Sequence, residues 1–232
     1  MPSNWRKGLT KFTNASVLQT SLTMKKRKID NFREWREKMK ADGKIKSVYP
    51  ALTKNGDLAE LVGVILGDGH IRPYPRTEEL SIFSNSNNLG FIDRYSKLVE
   101  SVFDKRPAIT QHSRGNCKRI RIYEKFISKR LGLEVSPRLN KKLKIPSWIF
   151  SKKQYIVRYL RGLYEAEGSF CTHPATSTYK LFFSNKNDSL LESVFVNLER
   201  LGFHPHKSAC MIQISKKDEV YKCKELLKFR QY

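Results

Sequence analysis

The sequence has few cysteines, no long apolar run and few acidic side chains, and each shortage excludes a class of protein. The four cysteines are scattered without a CxxC pair, which argues against a disulfide scaffold or a zinc module. The longest apolar stretch, residues 58–66, contains Glu60 and is too short to span a bilayer. The basic N-terminus lacks the apolar segment of a secretory signal. We therefore expect an intracellular protein of the cytoplasm, the nucleoid or an organelle matrix, without a membrane partner.

The shortage of acidic residues leaves a strongly basic chain. There are 45 Lys and Arg against 22 Asp and Glu, which gives a formal net charge of +23 over 232 residues. A disordered basic arm would concentrate this charge, but here the excess is spread along the whole sequence. The pattern indicates a folded body that faces nucleic acid through phosphate contacts. A generally basic protein such as a ribosomal component is the plainer alternative.

The sequence also contains an internal repeat. The segment LAELVGVILGDG at 58–69 matches YLRGLYEAEG at 159–168, with paired glycines and acids at an offset of 99. Phe-Ser-Asn at 83–85 recurs at 183–185, an offset of 100. An apolar-periodic helix follows in each copy, then an alternating strand and a short apolar segment. Several blocks in the same order make duplication the better interpretation than chance.

The duplication predicts an α+β fold in which each copy runs helix, strands, helix, strands, helix. Two copies favour a pseudo-two-fold pair over a tandem array. We expect a basic N-terminal extension with one helix near Ile29–Lys40, two repeats and a basic linker with two prolines between them. The corresponding ranges are 1–57 for the extension, 58–131 and 155–232 for the repeats, and 132–154 for the linker.

The first helix of each copy carries two small residues four apart on one face, namely Gly63 and Gly67, and Gly162 and Ala166. Small residues at this spacing let two helices approach more closely than the usual ~8–10 Å. An acid follows each pair, Asp68 or Glu167, and a glycine then permits a sharp turn into a strand. If the two helices pack together about the pseudo-two-fold axis, both carboxylates emerge side by side.

Two clustered carboxylates repel each other unless a divalent cation neutralises them. Oxygen ligands with open coordination suit Mg²⁺, which activates water for attack on a phosphodiester. The plainer interpretation is that Asp68 and Glu167 are ordinary helix-end acids. Their matching positions in a duplicated chain favour the metal site.

These segments resemble the two copies of the signature of the LAGLIDADG homing endonucleases, in the single-chain form with two motifs. The resemblance covers residues 58–232 and includes the Phe-Ser-Asn turn into the middle helix of each copy. It implies two αββαββα units, a saddle of antiparallel strands over double-stranded DNA, and the motif helices at the domain interface. It also implies Mg²⁺-dependent cleavage of both strands of a long target, with each acid helping to cut one strand.

The resemblance assigns Asp68 and Glu167 as catalytic acids that share two or three Mg²⁺ ions. The backbone carbonyls of Gly67 and Ala166 are implied as additional metal ligands.

Three further residues match positions that are often polar or basic in the family's active sites. Asn85 and Asn185 fall near the expected water network. Lys216 fits the basic residue that enters the pocket after the last strand, although a solvated lysine at a helix start is an equal alternative. In the first copy that position is Glu124, beside Lys125.

Candidate DNA contacts lie on or near the predicted strands. Arg119 and Arg121 alternate with isoleucines, the pattern expected of a strand laid into the major groove. The equivalent face of the second copy offers Met211 and Gln213, so the two half-sites should differ. Further expected contacts are Arg72, Arg76, Lys180 and Lys186.

Two residues of the second motif depart from the first. Arg161 and Tyr164 stand where the first copy has Val62 and Ile65. We expect both side chains to face solvent or DNA.

The leading hypothesis is a monomeric, site-specific DNA endonuclease of the intron or intein homing type. One alternative is a maturase-like protein of the same fold that binds intron RNA without needing the metal site. Another is a non-cleaving DNA-binding regulator. An acid in both copies favours cleavage.

Overall fold

The computed structural model describes residues 8–43, 46, 48–112, 115–137 and 141–232. The chain divides into two compact units, Met1–Tyr49 and Pro50–Tyr232. None of the helices in the described ranges is long and apolar enough to cross a membrane.

The first unit contains two helices, α1 (Ala15–Lys26) and α2 (Arg33–Ala41). Asn14 caps α1 by accepting a hydrogen bond from the backbone N–H of Val17, at 3.2 Å. The sequence predicted one helix near Ile29–Lys40, which α2 fulfils in part, and it missed α1. The reason is that α1 has no apolar face to reveal its period, and none of the residues 8–43 is buried.

The second unit repeats one element order twice. The first copy contains α3 (Gly56–Asp68), β1 (Gly69–Pro73), β2 (Glu78–Asn85), α4 (Leu89–Phe103), β3 (Ala108–Gln111), β4 (Cys117–Glu124) and α5 (Ile127–Leu131). The second contains α6 (Lys153–Glu167), β5 (Gly168–His173), β6 (Thr178–Ser184), α7 (Asp188–Arg200), β7 (His206–Ser208), β8 (Met211–Ile214) and α8 (Lys217–Leu227). Short 3₁₀ helices precede α6 and join β5 to β6.

Each copy forms a four-stranded antiparallel sheet, with strand orders β1-β2-β4-β3 and β5-β6-β8-β7. The predicted α+β fold with two αββαββα units is therefore confirmed. The side chains of Asn88 and Asn187 cap the N-termini of α4 and α7.

Side chains alternate across both sheets, so each sheet has a core face and an open face. Ile120 and Ile122 of β4 are buried on the core face, and Ile212 and Ile214 of β8 do the same in the second sheet. The open faces carry the polar and basic residues of the alternating strands.

The strand register shifts the sequence alignment of the two copies by one residue. Ile82 pairs with Ile120, and Phe183 pairs with the equivalent Ile212. Ile82 is thus the structural counterpart of Phe183, while Phe83 lies on the open face opposite Arg119. The repeated Phe-Ser-Asn therefore marks the same strand end in both copies, but its phenylalanines face opposite sides of their sheets.

Candidate active site

The two motif helices, α3 and α6, pack against each other through their glycines. A Cβ atom on Gly63 would overlap the carbonyl oxygen of Tyr159, and a Cβ on Gly162 would overlap that of Glu60. A Cβ on Gly67 would overlap the side chain of Ala166. The predicted helix pair therefore forms, and it has the close approach that the small residues require.

This packing brings the two acids to neighbouring helix ends. Asp68 and Glu167 are the last residues of α3 and α6, and both side chains are half-buried. The following residues, Gly69 and Gly168, have extended backbones with negative φ. Glycine is required there for lack of space, because a Cβ would overlap the backbone of the last helical turn.

The electrostatics of the pair follow from burial and proximity. Burial, together with the negative charge of Glu167, raises the pKa of Asp68 to about 7. Burial also raises the pKa of Glu167. Because the charge of Glu167 acts on Asp68, a cation beside the two carboxylates would be stabilised.

The donor set at this position fits a divalent cation that prefers oxygen. Two carboxylates lie at helix C-termini, where the last carbonyl groups, those of Gly67 and Ala166 among them, lack intrahelical donors. Within the described ranges, no cluster of three or more His, Cys, Asp or Glu side chains could hold a metal alone. An ion here would complete its shell with carbonyl, water and phosphate oxygens, which is the usual situation for Mg²⁺.

The two predicted asparagines occupy unlike environments. The Asn185 Nδ2 lies 3.5 Å from the Glu167 Oε1, and its Oδ1 accepts a hydrogen bond from the N–H of Asn187 at 2.8 Å. Asn85 is exposed, and its Oδ1 accepts from the N–H of Asn87 at 2.9 Å. Among the described residues, Asn85 makes no hydrogen bond to Asp68. Only the second copy therefore links its asparagine to its acid.

Lys216 lies at the start of α8, away from direct contact with either acid. Its side chain is 73% exposed, and its Nζ is 3.5 Å from the Glu219 Oε1. The matching Glu124 of the first copy is buried and paired with Arg130, and Lys125 is exposed. The structure thus brings Asp68, Glu167, Gly67, Ala166 and Asn185 together, and leaves Lys216 at the surface.

The predicted DNA contacts of the first copy lie on or beside the open face of its sheet. Arg119 and Arg121 point away from the core, opposite Phe83 and Ser81 of β2. Arg72 is exposed over the ring of Tyr74, 5.1 Å from its centroid. Arg76 is exposed in the connection between β1 and β2.

The second sheet presents a different set of side chains on its open face. Met211 and Gln213 lie opposite Ser184 and Phe182, and the Gln213 Nε2 donates to the Ser215 Oγ at 3.2 Å. Lys180 is exposed on the same face, and Lys186 is exposed in the turn after β6.

The expectation for Arg161 and Tyr164 was wrong. Tyr164 is completely buried, and Arg161 is 6% exposed. Arg161 lies 3.6 Å from Glu60 and 3.8 Å from Glu165, and its Nη2 donates to the carbonyl of Gln231 at 3.1 Å. Acidic partners inside the helix interface keep the arginine there, because a buried cation requires counter-charge.

Sequence reasoning also missed Glu79, a buried acid on the open face of the first sheet. Its alternation with Leu80 and Ile82 could have placed it on that face. Nothing in the sequence indicates its burial, because only Ser81 among its partners is close in the chain, while Tyr74 and Arg119 come from other elements.

Comparisons with known proteins agree with this fold. Residues 154–231 match the LAGLIDADG-like domain family. None of the curated proteins matches the chain. The crystal structure of the homing endonuclease I-DmoI with DNA and Mn is similar, with a TM-score of 0.53 and 19% identity, over 74% of this chain and 96% of that one.

Two further structures share the fold. The N-terminal LAGLIDADG domain of DUF199/WhiA gives a TM-score of 0.53 and 15% identity, over 76% of this chain and 83% of that one. Full-length DUF199/WhiA from Thermatoga maritima gives 0.55 and 16%, over 79% of this chain and 58% of that one. By sequence the second repeat thus matches the LAGLIDADG-like domain, and by structure the two repeats together have the fold of LAGLIDADG proteins.

Proposed function

We propose that this protein is a site-specific DNA endonuclease of the intron or intein homing type. It makes a double-strand break in a long, asymmetric target by divalent-metal-dependent phosphodiester hydrolysis. The observation that carries the proposal is the pair Asp68 and Glu167, half-buried at neighbouring helix ends with raised pKa values. The DNA complex of I-DmoI supports it through the shared fold.

The two acids would hold two or three Mg²⁺ ions between them, together with the carbonyl oxygens of Gly67 and Ala166. When bound, Mg²⁺ supplies activation of water and neutralisation of charge on the leaving oxygen. The chain's own contribution is to fix the two carboxylates, since close helix packing leaves them little freedom to separate.

The Asn185 Nδ2, 3.5 Å from the Glu167 Oε1, would help to orient this carboxylate and to hold a water beside it. Asn85, exposed at the end of β2, would serve the same purpose in the first copy after a change of side-chain rotamer. Lys216 could approach a scissile phosphate only from its exposed position at the start of α8.

Each sheet would then read one half of the target from its open face. Because one chain supplies both sheets, a monomer suffices, and because the faces differ, the target lacks strict palindromy. The repeats proposed from the sequence are 58–131 and 155–232 with the linker 132–154, and each starts two residues after the first residue of its motif helix. The extension 1–57 would add phosphate contacts through its basic side chains.

Incubation of the purified protein with a randomised double-stranded DNA library and Mg²⁺, followed by sequencing of the cut ends, tests this function. We expect one long asymmetric site with cuts on both strands, and none with EDTA. Glu100→Gln changes an exposed acid of α4 and serves as a matched control for Asp68→Asn. Sequence-specific binding without cleavage would instead indicate a regulator, and selective binding of a structured RNA would indicate a maturase-like protein.

A further inference from the structure

The open face of the first sheet contains a buried carboxylate where a surface for DNA would be expected to carry only cations and neutral groups. Glu79 lies in β2, one of the two inner strands of this sheet, and 5% of the residue is exposed. A negative charge on this face repels phosphate, so its presence needs a specific reason.

Glu79 is held by several neighbours. The Ser81 Oγ donates to its Oε1 at 2.9 Å, and the Tyr74 hydroxyl donates to its Oε2 at 3.0 Å. Burial raises the pKa of Glu79, but hydrogen bonds from Ser81, Tyr74 and Tyr123 and the charge of Arg119 outweigh it, so the pKa is lowered. The carboxylate is therefore ionised and fixed in one orientation.

Arg119 forms an ion pair with this carboxylate, whereas Arg72, which is opposite Glu79 in the strand register, lies over the ring of Tyr74. Its Nη1 lies 3.6 Å from the Glu79 Oε1, and 25% of its side chain remains exposed. Its buried Nε has no hydrogen-bond partner among the described residues. The Glu79 carboxylate thus holds one edge of the Arg119 guanidinium, while the remaining N–H groups of the guanidinium are available to a ligand.

The carboxylate also restricts which part of DNA Arg119 can bind. An arginine that clamps a phosphate would draw that anion toward Glu79, which is unfavourable. A base edge carries no net charge and has no such penalty. Guanine offers the O6 and N7 acceptors that suit a fixed guanidinium in the major groove. Direct reading of cytosine by Glu79 is disfavoured, because the carboxylate is buried and its oxygens already accept hydrogen bonds.

We infer that Glu79 is a positioning residue that holds Arg119 for recognition of one guanine in the first half-site. The inference rests on the proposed function only in that the open face binds DNA. The second sheet offers an internal contrast. By strand register, Lys180 occupies the place of Glu79, and Met211 that of Arg119. No guanine preference of this origin is therefore expected at the corresponding position of the second half-site.

The test is a binding selection on randomised double-stranded DNA without metal, followed by affinity measurements on all single-base substitutions of the selected site. We expect Arg119→Ala to lower discrimination at one G·C pair of one half-site by about tenfold. Glu79→Gln, which keeps the shape but removes the charge, should weaken discrimination at the same pair. In the double variant Glu79→Gln, Arg119→Ala, discrimination at this base pair should be no lower than in Arg119→Ala alone. Glu79→Asp should restore part of the preference.

Asp93→Asn, an exposed change on α4, controls for the altered net charge. If Glu79→Gln does not fold, the double variant Tyr74→Phe, Ser81→Ala removes the donors that fix Glu79 and should affect the same base pair. A uniform change in affinity with an unchanged base profile would overturn the inference. Selection of a site by a wild-type protein that never cleaves it would overturn the endonuclease alone. Failure to select any sequence would overturn both.

Discussion

The two sheets share one topology and one buried face, but their open faces differ. The core positions match in kind, as Ile120 and Ile122 correspond to Ile212 and Ile214. On the open side, Arg119 and Arg121 correspond to Met211 and Gln213. The comparison shows that packing constrains one face of the duplicated fold, while the other face has diverged in charge and hydrogen-bonding capacity.

The motif helices show the same division. Their contact surface is nearly symmetric, with a glycine from each helix against the backbone of the other. The ion pairs between the two helices are not symmetric, since Glu60 from α3 pairs with both Arg158 and Arg161 from α6. Asp68 and Glu167 therefore lie at the ends of two helices whose glycine contacts are symmetric, although the ion pairs between these helices are not.

The largest expected effect comes from removing either acid. Asp68→Asn or Glu167→Gln should abolish double-strand cleavage, because each removes a charge that would hold the metal while keeping the side chain's shape. Binding should persist, since it rests on many phosphate contacts. Cleavage assays on supercoiled plasmid, which separate nicked from linear product, measure this. Wild-type rates of linearisation by either variant would contradict the site assignment.

The next largest effect is expected from adding a side chain at the contact between α3 and α6. Gly162→Ala should lower the free energy of unfolding by about 3 kcal/mol, because its Cβ meets the Glu60 carbonyl and backbone cannot yield. Gly56→Ala is the matched control, since its Cβ meets only the flexible side chain of Arg158 at 3.2 Å. Urea denaturation compares the two, and equal stabilities would show that the helices are less tightly packed than described.

The raised pKa of Asp68 predicts a pH-dependent stability in metal-free buffer. The folded protein retains a proton up to about pH 7, whereas an unfolded Asp releases it near 3.8. This stabilisation is present below pH 4 and is lost as the pH rises through 7. Between pH 5 and 8, wild type should lose about 2–3 kcal/mol more stability than Asp68→Asn. Parallel stability profiles of the two proteins would contradict the raised pKa.

A smaller effect is expected from the open faces. Arg121 contacts Tyr123, 5.6 Å from the ring centroid, and extends from the open side of β4. Arg121→Ala should relax specificity at one or two base pairs of one half-site by about 1–3 kcal/mol. Gln213→Ala, its counterpart, should act in the other half-site. A uniformly weaker affinity would make Arg121 a phosphate contact instead.

The smallest effect concerns the N-terminal extension. Lys26→Gln with Lys28→Gln should reduce the slope of log affinity against log salt by about 1–2, if both lysines contact phosphate. Lys97→Gln with Lys129→Gln changes exposed lysines on α4 and α5, helices that pack against the first sheet's core side. Equal slopes for the two double variants would show that the extension makes no such contact.

The sequence predicted the parts of this architecture that depend on local pattern. The small residues of the motif helices, the acids that follow them and the alternation of Arg119 and Arg121 with isoleucines all have short-range signatures. The structure reproduces each of them. The features that the sequence did not predict depend on contacts with residues distant in the chain.

Arg161 is the clearest example, since its isolated position in an apolar pattern resembled a surface site. Its burial depends on Glu60, which lies in the other repeat. Glu79 was hidden in the same way, because Tyr74 and Arg119 reach it from different elements. The helix α1 was missed for a different reason. None of its residues is buried, so its sequence has no apolar periodicity by which a helix could be predicted.

The central claim is that Asp68 and Glu167 form one shared divalent-metal centre where the two repeats meet. A crystal structure of the protein with its selected DNA and Mn²⁺, using anomalous scattering to locate the ions, tests it most directly. We predict ions in contact with both carboxylates and with phosphate oxygens of the two strands. Ions bound elsewhere on the chain, with neither carboxylate among their ligands, would contradict the account.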